Sequence, residues 1–159
     1  LHLAATRGAD LAGVGSINAP VGNLPALEAA ASSLPPGGRM PAPWANDPRM
    51  LTKDLATADI SYGEIPKGCL ERALVFCQAT EGELGQIRVP TCVFSSRDDV
   101  IVPPATGQHI VDLLTAAPEK RLVDLLESAH DATLDFDLER IGIEWLAFVR
   151  QYARALIAA

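Results

Sequence analysis

The chain has 159 residues, 48% hydrophobic and 21% charged, which places it among packed globular proteins and excludes the low-hydrophobicity, high-charge regime of disorder. The length suits one domain with a real core; two full domains would be cramped. Thirteen Lys and Arg against twenty Asp and Glu leave a net charge of −7, with no basic run interleaved with aromatics. That argues against a nucleic-acid partner, whose phosphates demand clustered cations.

No internal repeat or low-complexity tract is visible. Leu1 to Arg7 reads as a short Ala-rich helix stopped by Gly8. Leu11 to Asn18, apolar and small, reads as a buried strand weakened by its glycines and broken by Ala19-Pro20. Prolines concentrate from Pro20 to Pro66, between polar turns such as Asn46-Asp47-Pro48. This stretch suits a surface insertion or lid with one short helix within Leu24 to Leu34, not a regular α/β unit. Cys69 to Leu84 returns to helical spacing, with Leu70, Leu74, Phe76, Cys77 and Leu84 approximating one apolar face.

Thr91 to Ser95 is a short β-rich run ending in the polar turn Ser96-Arg97-Asp98-Asp99. Pro104 to Thr115 reads as a helix with Ile110, Leu113 and Leu114 inward, and Arg121 to Leu126 as a second strand closed by Glu127-Ser128-Ala129-His130. Asp137 to Leu156 is a long helix with Ile141, Trp145, Phe148, Val149 and Tyr152 on one face. Strand, helix, strand, helix is the pattern of an α/β fold with a mostly parallel sheet and flanking helices, where ligands sit at the carboxyl ends of strands.

The longest apolar stretches, such as Leu11 to Val14 or Cys92 to Phe94, fall far short of the roughly 20 residues that span a bilayer, so no transmembrane segment is expected. Cys69, Cys77 and Cys92 have neither C-x-x-C spacing nor a nearby histidine pair, and read as buried, reduced thiols of a cytoplasmic protein. The chain starts at Leu1 without a charged region followed by an apolar one, and Leu1 reads as something other than a natural start.

Two adjacent parallel strands would bring the loop holding Asp98 and Asp99 beside the loop holding His130. A carboxylate that accepts the Nδ1 proton of a histidine fixes its tautomer and stabilises the imidazolium, which is what a general base acting on a hydroxyl nucleophile requires. Asp after a strand is also a common turn former, and a lone loop histidine is often only polar surface.

At these residues a resemblance becomes specific. The run Phe94-Ser95-Ser96-Arg97-Asp98-Asp99-Val100-Ile101-Val102-Pro103-Pro104 resembles the acid loop of α/β-hydrolases. Ser128-Ala129-His130-Asp131-Ala132-Thr133-Leu134-Asp135-Phe136-Asp137 resembles the histidine loop of the bacterial carboxylesterases and monoacylglycerol lipases, which typically runs S-x-H-x-x-T-L-D. The resemblance extends from Leu1 to about Tyr152. It implies the triad order Ser, acid, His. It selects Asp99 as the acid, because Pro103 stands where the family has its Pro, with Asp98 as runner-up. Val100 and Ile101 become candidates for the acyl side of the pocket or for core packing.

The nucleophile elbow G-x-S-x-G is absent. Ser16 would need glycines where Val14 and Asn18 stand, Ser95 and Ser96 fail the same test, and no oxyanion loop of the H-G type is present. The opening Leu-His-Leu-Ala-Ala-Thr-Arg-Gly resembles the helix after the family's elbow, which would put a nucleophilic serine roughly ten residues before Leu1 in a parent chain. The resemblance therefore implies a C-terminal portion of a hydrolase. Residues 1–19 would form a core helix and strand, 20–85 a cap, and 86–159 a C-terminal core with the acid and histidine loops.

The expected function is hydrolysis of small apolar esters or acylglycerols through an acyl-enzyme, with Asp99 orienting His130, without a metal or organic cofactor, and with this chain inactive by itself. His2 and His109 read as non-catalytic helix residues, His109 with no evident partner. Asp131, beside His130, would raise the imidazole pKa if it pointed inward, although an outward, solvated side chain is the expected case. The same scaffold also hosts carbon–carbon bond hydrolases, haloperoxidases and dehalogenases. A non-catalytic binding module that keeps the two loops as remnants is the alternative from another class.

Overall fold

The computed structural model of the chain describes residues 1–42 and 62–157, those from 153 on as backbone. The turn expected at Asn46-Asp47-Pro48 lies outside the described residues. Three parallel strands, β1 (Val14–Ile17), β4 (Thr91–Ser96) and β5 (Lys120–Leu125), form one sheet in the order β1-β4-β5. Its register sets Phe94 beside Ile17 on one side and Val123 on the other. β4 is buried along its whole length, as expected of a parallel strand covered on both faces.

Alternation along the strands sorts the core into two layers. Val93, with Leu122 beside it, faces a cluster built from Ala4 of helix α1 (His2–Arg7), Ile110 of α4 (Ala105–Leu113), and Leu84, Ile87 and Leu114. Cys92, Phe94, Val123 and Leu125 face the opposite way, onto Ile141 and Phe148 of α5 (Leu138–Ile157). Phe94, Ile110 and Leu125 are each at most 1% exposed, and burying a side chain of this size contributes about 1.5–3 kcal/mol.

The proline-rich stretch contains more regular structure than the sequence suggests. Pro25 occupies the first turn of α2 (Pro25–Ser33), where its missing N–H is harmless, and the helix falls within the expected window. An unexpected antiparallel pair, β2 (Arg39–Pro41) with β3 (Glu64–Pro66), then leads into α3 (Lys67–Glu83). Two-residue alternation cannot show in strands of three residues, and this is why the pair is invisible in the sequence. Leu24, Ala31, Leu70, Leu74 and Cys77 form a third apolar cluster between α2 and α3.

Four local expectations need correction. Gly8 does not stop α1 in a left-handed conformation; its φ of −54° is right-handed and the chain continues into a 3₁₀ turn over Gly8–Asp10. Phe76 lies off the buried face of α3 and is 53% exposed, because it falls two residues from Leu74 rather than three or four. Trp145 and Val149 of α5 are only partly covered, whereas Ile141 and Phe148 are buried. Cys69, unlike Cys77 and Cys92, is exposed, lying on the first turn of α3 before its apolar face begins.

Candidate active site

The carboxyl ends of β4 and β5 open into the two loops that hold the titratable residues. Asp99 lies three residues past β4, and the loop folds back so that its Oδ1 accepts the backbone N–H groups of Ile101 (2.8 Å) and Val102 (2.9 Å). This Asx-type turn buries the carboxylate, whose side chain is 1% exposed, and leaves Oδ2 to face the neighbouring loop. There it meets Nδ1 of His130 at 2.8 Å. A carboxylate only accepts, so Nδ1 carries the proton and Nε2 is the nitrogen available for proton transfer. Asp98, one residue earlier, is exposed.

Two opposing influences act on His130. Burial disfavours the imidazolium, but the hydrogen bond to Asp99, the Asp99 charge and the Asp131 charge favour it, and the net effect raises the pKa above its usual 6.5.

The histidine loop is held by a dense set of buried polar contacts that spacing alone did not reveal. Asp135 Oδ2 accepts the N–H of Ala129 (2.8 Å), Asp137 Oδ2 accepts that of Glu127 (2.9 Å), and Ser128 Oγ accepts that of Asp137 (2.8 Å). Asp135, Asp137 and Ser128 are 3%, 6% and 0% exposed, so these hydrogen bonds form in a low-dielectric setting where they are strong. Asn18, just past β1, joins the same network. Its Oδ1 accepts Ser96 N–H (2.8 Å), and its Nδ2 donates toward Ser96 Oγ (2.9 Å), Ala129 O (3.2 Å) and His130 O (2.7 Å). A polar residue at the carboxyl end of an otherwise small, apolar strand was the available signal for Asn18.

His130 also lines a cavity of about 750 Å³. Its walls are apolar, from Leu24, Leu27, Leu70 and Leu74 on the α2–α3 side and Ile101 and Val102 on the acid loop, with Arg39 and Glu64 at its edge. Val100 is 64% exposed and takes no part in this lining. The other two histidines stand apart from this pair: His2 Nδ1 meets Glu83 Oε2 and His109 Nε2 meets Glu81 Oε1, each at 2.5 Å. His109 therefore has a partner the sequence did not show, and both pairs tie the end of α3 to the core helices. Ser16 lies within β1 with its hydroxyl buried, and Ser95 Oγ donates to Pro104 O, so neither sits on a strand-to-helix turn. Among the described residues no cluster of three or more His, Cys, Asp or Glu could hold a metal ion.

Over 144 residues, 91% of its length, the chain is 29% identical to the thermostable monoacylglycerol lipase of Bacillus sp. (strain H-257), of which it covers 55%. A solved structure described for LipS and LipT, two metagenome-derived lipolytic enzymes, matches with a TM-score of 0.75 and 27% identity over 94% of this chain and 59% of that one. The fold is that of an α/β-hydrolase. A second α/β-hydrolase structure, the Paleococcus ferrophilus monoacylglycerol lipase, matches with a TM-score of 0.65 and 18% identity, over 91% of this chain and 62% of that one. No protein-family profile matches the chain. The chain spans about half the length of the curated relative it matches. Within the α/β-hydrolase sheet, Asp99 and His130 occupy the loops at the carboxyl ends of two adjacent parallel strands. No helix among the described residues is long and apolar enough to cross a membrane.

Proposed function

We propose that this chain carries the acid and the base of a serine ester hydrolase of the carboxylesterase or monoacylglycerol lipase type. The observation that carries the reading is the Asp99–His130 hydrogen bond of 2.8 Å, with His130 lining an apolar cavity of about 750 Å³. In the reaction a serine supplied by the parent chain ahead of Leu1 attacks the ester carbonyl. His130 takes its proton through Nε2 and returns it to the leaving alcohol, while Asp99 fixes the tautomer and stabilises the imidazolium. Water then hydrolyses the acyl-enzyme by the same proton route.

The α2–β2–β3–α3 layer acts as the cap, and the acyl chain lies between it and the acid loop, against Leu70, Leu74 and Ile101. Similarity to lipolytic enzymes supports an apolar ester or acylglycerol as substrate. The 159-residue chain by itself is expected to be inactive, because loss of the nucleophile leaves only residual rate.

The test is expression of the full-length parent, assayed on p-nitrophenyl esters and monoacylglycerols and probed with an organophosphonate. Hydrolysis and single-site labelling are expected. Asp99→Asn should lower kcat by about 10⁴-fold, because the amide stabilises the wrong tautomer. Full activity in the Asp99→Asn variant, or an aspartate at the elbow with halide release from haloalkanes, would overturn the reading.

A further inference from the structure

We propose that Asn18 is a positioning residue for His130, holding the histidine loop against the end of β4 so that the imidazole meets Asp99. The inference rests on the reading of His130 as the base and extends it to a third strand, β1.

Asn18 is 6% exposed and adopts a left-handed conformation, with φ of 46°. Among residues with a side chain, Asn accepts this region best, and such conformations persist where surrounding contacts over-determine them. Those contacts are the amide's own. The backbone N–H of Asn18 donates to Phe94 O (3.0 Å), which continues the β1–β4 ladder past Ile17. Its side chain then bridges outward. Ser96 N–H requires an acceptor, which sets Oδ1, and the carbonyls of Ala129 and His130 require donors, which sets Nδ2, so the orientation of the amide is fixed by its partners.

The two ends of this bridge matter chemically. Ser96 is the last residue of β4, three residues before Asp99, and the His130 carbonyl belongs to the residue whose ring must reach Asp99. One planar amide therefore sets the distance between the root of the acid loop and the root of the histidine. Asp135 holds the same loop from its other side, through Ala129 N–H. Without Asn18 the carbonyls of Ala129 and His130 would lose a buried donor, and the loop would shift to find another. A displacement of about 1 Å at a catalytic group costs roughly 10²-fold in rate.

The experiment uses the full-length parent carrying Asn18→Gly or Asn18→Asp. Glycine adopts positive φ freely, so Asn18→Gly keeps the backbone and removes only the bridge. Aspartate keeps the acceptor for Ser96 N–H but turns an oxygen toward the two carbonyls. The readouts are kcat and KM on p-nitrophenyl butyrate, and the titration of the His130 ring followed by NMR.

Asn18→Gly is expected to lower kcat by about 10- to 100-fold with KM within about twofold, and to move the His130 titration downward as its contact with Asp99 loosens. Asn18→Asp should lose at least as much kcat; its added carboxylate itself favours the imidazolium, so the direction of the titration shift is read from Asn18→Gly alone. A folded variant with unchanged kcat and unchanged His130 titration would overturn the proposal. So would a fall in melting temperature with the His130 titration unmoved, since that marks a purely structural contact. If the wild-type parent hydrolyses no ester, the enzymatic reading fails, while the NMR titration still reports whether Asn18 sets the His130–Asp99 contact.

Discussion

At the residue scale the proton inventory of His130 makes two sign-definite statements. Its folded pKa is raised above 6.5, so the stability it contributes is complete below about pH 6.5 and is lost as pH rises through the folded value. Under the proposed function activity would run the other way, because His130 as the proposed base must be neutral: the acid limb of the kcat/KM profile is expected above pH 6.5. Asp131 is one of the charges that raise this pKa, so Asp131→Val in the full-length parent should move the acid limb expected under the proposed function to lower pH, and a superimposable profile would remove Asp131 from the account. The thiols provide an independent check. Burial pushes the Cys92 thiol up to about 11 and raises Cys77, whereas Cys69 is exposed. At pH 8 only about one Cys92 in a thousand is thiolate, so a thiol-reactive dye under native conditions should label one cysteine rapidly, identified as Cys69 by peptide mapping.

Between elements, α5 comes close to β1 at its glycines. A Cβ added at Gly15 would overlap the Trp145 ring, and one at Gly13 would come within 3.1 Å of the Phe148 ring. Trp145 in turn stacks on Phe148 at a centroid distance of 5.5 Å, and Phe148 packs against Tyr152 at 4.8 Å. The glycines that weaken the strand as a sequence pattern are therefore what lets the aromatic ladder of α5 approach the sheet. Gly15→Val should destabilise by about 1–3 kcal/mol and lower Tm by roughly 3–10 °C. Combining it with Trp145→Leu should restore part of the loss, a coupling that a double-mutant cycle in thermal melts would measure. Strict additivity of the two changes would show that the contact is not the cause.

For the whole molecule, the sheet order has a solution consequence. Among the described residues β1 pairs only with β4, so its other edge offers the unpaired backbone groups of Val14–Ile17, and Ile17 is 36% exposed. Exposed Val75 and Phe76 of α3 and Ile143 and Leu146 of α5 add apolar surface elsewhere. A strand edge of this kind invites pairing with another copy. The 159-residue chain is expected to associate in a concentration-dependent way in sedimentation velocity runs up to about 100 μM. A monodisperse monomer with a cooperative melt across that range would contradict the expectation.

Local chemistry determined much of this protein. Periodicity was enough to locate α3, β4, α4, β5 and α5 to within a few residues, because apolar spacing of two or three to four residues is written directly into those segments. Strand-end logic pointed to the loops after β4 and β5, and the residues around Asp99 and His130 carried a resemblance specific enough to choose between two adjacent aspartates. The tertiary structure decided what depends on groups distant in the chain. Asn18 lies 78 residues from Ser96 and 112 from His130, and no local pattern predicts a bridge across such separations. The same holds for Glu81 and Glu83, whose histidine partners come from α4 and α1, and for the β2–β3 pair, whose strands are too short to show a period. Sequence period reports which face of an element is buried; only packing reports which buried polar group meets which, because those partners are selected by the geometry of the assembled sheet.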